Sequence, residues 1–100
     1  MNVAKNLTTL YKEIELAKDS GLIHSVIYQR GLNDFDANFI NGKIKKEVQL
    51  ISLEFKIDIS TDRIHQVCEH VKTQYKNCVE TVRMVTPHRM HIYAHKEKVD

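Results

Sequence analysis

The chain predicts a two-layer α+β domain, with two helices packed on one face of an antiparallel sheet of about four strands, in the order α-β-β-α-β-β. Three observations predict it. Two stretches, 2–18 and the run after Ser60, repeat apolar residues at three- and four-residue steps. Residues 51–59 alternate apolar and polar side chains. Residues 79–85 and 89–95 are β-rich runs on either side of a short break at Thr86–Pro87–His88. The same element order is a circular reordering of the ferredoxin-like β-α-β-β-α-β order.

Taking the elements in turn, Val3, Leu7, Leu10, Ile14 and Ala17 make the apolar stripe of the first helix, with Tyr11 beside them. Lys18 suits its last turn and Gly21 its stop. "LIHSVIYQRG", 22–31, reads as a strand. Leu22, Val26 and Tyr28 share one parity and Ile23 and Ile27 the other, so a central strand covered on both sides is expected. "LNDFDANFINGK", 32–43, fits either a short helix capped by Asn33 or Asp34 or a hairpin turning at Asn41–Gly42. "KIKK", 43–46, reads as a solvated strand end.

The strand at 47–59 directs Ile51, Leu53, Phe55, Ile57 and Ile59 to one face. Its alternation slips near Val48 and Leu50, where a β-bulge is expected. Ser60 then caps a helix whose first turn carries Asp62, as the helix dipole favours. Ile64, Val67, Cys68, Val71 and Tyr75 form its apolar stripe. Ile51, Leu53, Phe55, Val67, Val71 and Met84 are expected to be buried together.

A chain of 100 residues with 42% hydrophobic and 28% charged residues is expected to form one domain, 1–100, with 97–100 as a frayed tail. Such a domain can fold without metal or disulfide staples. The net charge of +2 is too small to imply nucleic acid or membrane by itself. No apolar run has the length of a signal peptide or a membrane span, so a cytoplasmic protein without membrane contact is expected. The two cysteines, Cys68 and Cys78, do not make a disulfide framework.

"TPHRMHIYAHKE", 86–97, is the stretch richest in chemistry. As a helix, capped by Thr86 with Pro87 at its first position, it would gather His88, His91 and His95 near one face, as a zinc site requires. As a strand it separates His91 from His95 by roughly 13 Å, too far for one ion. Met90, Ile92 and Ala94 align only on a strand, which decides for the strand and against a metal. "HQVCEH", 65–70, offers His65 and Cys68 one turn apart, but Cys68 already belongs to the apolar stripe. No cofactor motif, phosphate loop or nucleophile elbow is present.

On the strand, Arg89, His91, Tyr93 and His95 share the face opposite the apolar one, with Arg83 beside them. These five residues are the candidate site. The function expected is non-enzymatic binding, as an adaptor, regulator or inhibitor acting through protein contact, with a homodimer as the simplest partner. The alternative is RNA or single-stranded DNA on the same face. A small metal-dependent or Cys–His enzyme comes third.

Overall fold

A computed structural model of the chain describes residues 5–29 and 48–95, the side chains of Val48 and His95 excepted. The expectations for 32–43, for "KIKK" and for the tail at 97–100 lie outside the described residues. The described elements are α1 (Leu7–Asp19), β1 (Ile23–Gln29), β2 (Val48–Phe55), α2 (Thr61–Gln74), β3 (Val79–Thr86) and β4 (Arg89–His95). They form the expected α+β arrangement in the expected order.

Both helices begin at a side-chain cap. Asn6 Oδ1 accepts from the Thr9 amide at 3.0 Å, and Ser60 Oγ accepts from the Arg63 amide at 3.2 Å. α1 ends in a Schellman turn. The Leu22 amide donates to the Ala17 carbonyl and the Gly21 amide to the Lys18 carbonyl, with Gly21 at φ 86°. That left-handed backbone is why glycine follows the helix. The turn swings the chain directly into β1.

The sheet order is β1-β2-β4-β3, with every neighbouring pair antiparallel. β2 and β3 therefore run parallel to each other with β4 between them, and α2 connects them. This is the split β-α-β unit of ferredoxin-like sheets, reached here in permuted chain order. α1 lies over β1 and α2 over β3. Beneath them Leu10, Ile14, Ile51, Leu53, Phe55, Ile64, Val71, Met90 and Ile92 form a common buried layer. Val67 and Met84 pack against it, partly buried.

Three local expectations need correction. Among the described strands β1 lies at an edge of the sheet, not in its centre. Its register shifts between Ile23 and Ser25, a bulge at His24 that reverses the side-chain parity. Ile23 thus faces the helices before the bulge and Val26 and Tyr28 face them after it, while Ile27 turns to the other side, 57% exposed. This switch explains why neither parity of the run is cleanly apolar. β2 keeps a continuous register from Val48 to Glu54, so the bulge expected there is absent. The polar Gln49 is buried on the helix side, where it accepts a hydrogen bond from the Tyr11 hydroxyl. The apolar Leu50 takes the opposite face. Finally, the strand ends at Phe55, and Ile57, expected in the core, is 91% exposed in the turn leading to α2. Ile59 is partly buried there, and its amide closes that turn by donating to the Lys56 carbonyl.

The β3–β4 hairpin turns through Pro87 and His88. The common two-residue turns need positive φ, which proline cannot adopt, and no described non-glycine residue has it. The register shift between Met84 and Thr86 takes up the mismatch as a bulge at Val85. A second shift lies between Val79 and Thr81. Both edge strands are therefore bulged, a device that discourages further strands from adding.

Candidate binding face of the sheet

Residues 89–95 form a strand, and the face opposite the helices can be built row by row from the pairing. One row across the sheet runs Gln29, Leu50, Tyr93, Thr81. The next runs Ile27, Ser52, His91, Arg83. The third runs Ser25, Glu54, Arg89, Thr86. Neighbours within a row stand close enough for side-chain contact. Among the described residues no helix covers this face. Four of the five candidate residues, Arg83, Arg89, His91 and Tyr93, come together on it. The backbone of His95 continues β4 opposite Val48, and its side chain lies outside the described residues.

The rows sort by chemistry. Arg89 is held in place: Nη1 donates to Ser52 Oγ at 3.0 Å, and Nη2 lies 3.4 Å from Glu54 Oε1. Ser25 Oγ donates to the same carboxylate oxygen at 3.4 Å. That end of the face is a polar network in which one carboxylate offsets one guanidinium. Toward the other end, Leu50 and Tyr93 stand side by side, with the exposed Ile27 diagonal to Leu50. His91 lies between the two ends, its ring 6.4 Å from that of Tyr93. Burial pushes the His91 imidazole below its ordinary value, and the flanking Arg89 and Arg83 guanidiniums push it further. At neutral pH His91 is thus an uncharged hydrogen-bonding group between two cations.

The other candidates separate. His88 sits in the hairpin turn with Nε2 3.3 Å from the Ile59 carbonyl oxygen. Cys68 and Cys78 are both buried, and neither forms a disulfide. Burial pushes the Cys68 thiol up, the reverse of what a nucleophile needs. His65, one turn away, is exposed. Among the described residues no three His, Cys, Asp or Glu side chains are placed to share a metal ion.

A polar cluster on the helix side was not anticipated from sequence. Glu13 of α1 meets His70 of α2 at 2.9 Å, accepts from Lys5 Nζ at 3.0 Å, and accepts from the Tyr75 hydroxyl. Burial pushes its carboxyl up, but the bonds from Tyr75, Lys5 and His70 outweigh that and hold it below the ordinary carboxylate range. His70 in α2 and Tyr75 at its C-terminal cap lie 57 and 62 residues from Glu13 in sequence, so no local pattern could announce them.

Fold and face together define a small α+β domain in which, among the described residues, helices cover one sheet surface and none covers the other. Among the described residues no helix is long and apolar enough to cross a membrane. Comparison of the chain with protein-family models, with curated proteins and with solved structures finds no match.

Proposed function

We propose that the protein is a non-enzymatic binding domain whose open sheet face contacts protein, in the first instance a second copy of itself. The observation that carries this reading is the alignment of Leu50, Tyr93, His91 and Arg89 on neighbouring central strands, on a face that no described helix covers. Aromatic side chains and arginine are the residues most enriched in protein contacts, and charged groups are depleted at their centres. Here the aromatic and aliphatic groups sit together and the Arg89–Glu54 pair lies to one side. A two-fold contact must be self-complementary, and a face holding both signs of charge with an apolar area satisfies that. The bulges in β1 and β3 disfavour the competing route, strand addition at an edge.

Four strands ~4.8 Å apart and about seven residues long at ~3.3 Å give a face of roughly 19 by 23 Å. That is below the ~800 Å² per partner of a stable complex. The dimer is therefore expected to be weak, in the micromolar range, and to exchange quickly. Such a contact suits an adaptor, regulator or inhibitor that gives up its own copy for another protein.

The test is sedimentation equilibrium on the parent and on the R89A/Y93A double variant. The parent is expected to dimerise and the variant to remain a folded monomer. Oligonucleotide binding is measured on the same pair. Binding by the parent that is lost in the variant and falls steeply with salt would move the face to the nucleic-acid reading. Unchanged association in the variant would remove the strip from either role.

A further inference from the structure

We infer that two copies of the protein pack open face to open face about a two-fold axis running along the strands, between β2 and β4. Each β2 then lies over the partner's β4 and each β1 over the partner's β3. This arrangement rests on the self-contact proposed above and specifies which side chains meet in it. Sheets packed face to face stand ~10 Å apart, with their strands within about 30° of alignment. Their two-fold axis lies in the plane between them. Aligned strands leave two directions for an axis centred on the face. An axis along the strands keeps each row opposite itself and exchanges the columns, β1 with β3 and β2 with β4. An axis across the strands keeps each column opposite itself and exchanges the first row with the third.

The side chains choose between the two. With the axis along the strands, Leu50 meets the partner's Tyr93, an aliphatic group against a ring. Glu54 meets the partner's Arg89. Each Glu54 already has its own Arg89 at 3.4 Å, so the two copies close a ring of four charges of alternating sign. In the middle row the partner's His91 comes over Ser52 and the Arg89 guanidinium bonded to it, which offers an uncharged imidazole a donor. Ile27, 57% exposed, meets the hydrocarbon stem of the partner's Arg83. With the axis across the strands, the complementarity is lost. Leu50 would press on the partner's Glu54 carboxylate, and Arg83 on the partner's Arg83. An apolar group would desolvate a charge and two like charges would face each other.

The experiment mixes isotope-labelled parent protein with an unlabelled copy carrying a nitroxide, and reads the line broadening of the parent's amides. The nitroxide is attached to T81C in β3 or, separately, to Q29C in β1. Cys68 and Cys78 are buried and do not compete for the reagent. Each labelled copy is first checked for native circular dichroism and for association like the parent's, so that one sound label suffices. In the inferred arrangement a label on β3 stands ~10 Å from the partner's β1 and ~17 Å from its β3. Broadening falls with the sixth power of distance. The T81C label is therefore expected to broaden Gln29 at least about tenfold more than Thr81, and the Q29C label to do the reverse. Strongest broadening of Thr86 by the T81C label, or of Ser25 by the Q29C label, would overturn the axis and leave self-contact through the open face standing. Equal broadening across all four strands would overturn any single arrangement. Absence of broadening on the open face from a sound label would overturn the self-contact reading and this arrangement with it.

Discussion

The two faces of the sheet are built from the same strands and hold together for different reasons. On the helix side Ile51, Leu53, Phe55, Met90, Ile92 and Ala94 are buried, and the stabilisation comes from apolar area removed from water. On the open side the same strands present Leu50, Ser52, Glu54, Arg89, His91 and Tyr93. Only Ser52 among them is buried, beneath the Arg89 side chain that donates to it. A partly exposed ion pair such as Arg89–Glu54 contributes ~1 kcal/mol, little beside the burial of one core side chain at ~1.5–3 kcal/mol. One face is therefore answerable for the fold, and the other can be altered without losing it. The contrast teaches where function has room to sit.

The sharpest way to break this contrast is to exchange its consequences. Phe55→Ala removes a ring that is 2% exposed, and it is expected to destabilise the protein by ~3–5 kcal/mol in denaturant unfolding. A loss below about 1 kcal/mol would mean that this face does not carry the fold. Tyr75→Phe deletes the hydroxyl that donates to Glu13 while keeping the buried ring, and should cost ~1–3 kcal/mol. It should also lift the Glu13 carboxyl toward its ordinary value of 4.5. Glu13 has a lowered folded-state pKa. Its contribution is present above the ordinary carboxylate range and is lost as pH falls through the lowered value. The acid limb of a melting-temperature profile should accordingly be steeper in the parent than in the variant.

On the open face the effects on stability should be smaller and the effects on association larger. R89A/Y93A is expected to change unfolding free energy by no more than ~1 kcal/mol. A larger loss would show that the open face is structural after all. The smallest expected effect belongs to His91. Its pKa is lowered in the fold, so folding weakens as pH drops from the ordinary ~6.5 through the folded value. The groups facing it are Ser52 and Arg83 in its own row and Arg89 in the next, and Glu54 is already engaged with Arg89. Protonation would place a third positive charge between the two guanidiniums, so self-association should weaken over the same interval. His91→Gln should flatten both profiles.

How far these features could be read from sequence depends on how local their causes are. The apolar stripe of α2, the Ser60 cap and the alternation at 51–55 are local, and each appears in the structure as anticipated. The Met90–Ile92–Ala94 parity also sufficed to choose strand over helix at 89–95, and with it the face carrying Arg89, His91 and Tyr93. The edge position of β1 was not legible, because the bulge at His24 mixes the parities that a straight strand keeps apart. Gln49 and Leu50 misled for a related reason. Burial of Gln49 depends on the Tyr11 hydroxyl, 38 residues distant, and no periodicity records that partner. Ile57 continued the alternation past the end of the strand, because the chain leaves the sheet at Lys56 to turn into α2. The Glu13 cluster arises from two helices that meet only in three dimensions.

The division of labour between the faces is tested most directly by a dilution series followed residue by residue in amide and side-chain resonances. A weak, rapidly exchanging dimer through the open face predicts concentration-dependent shifts at Leu50, Thr81, Arg83, Arg89, His91 and Tyr93. The amides of α1 and α2 should stay unchanged across the same series. Shifts confined to the helices or to the outer edges of β1 and β3, or no concentration dependence at all, would contradict the assignment of self-contact to the open face.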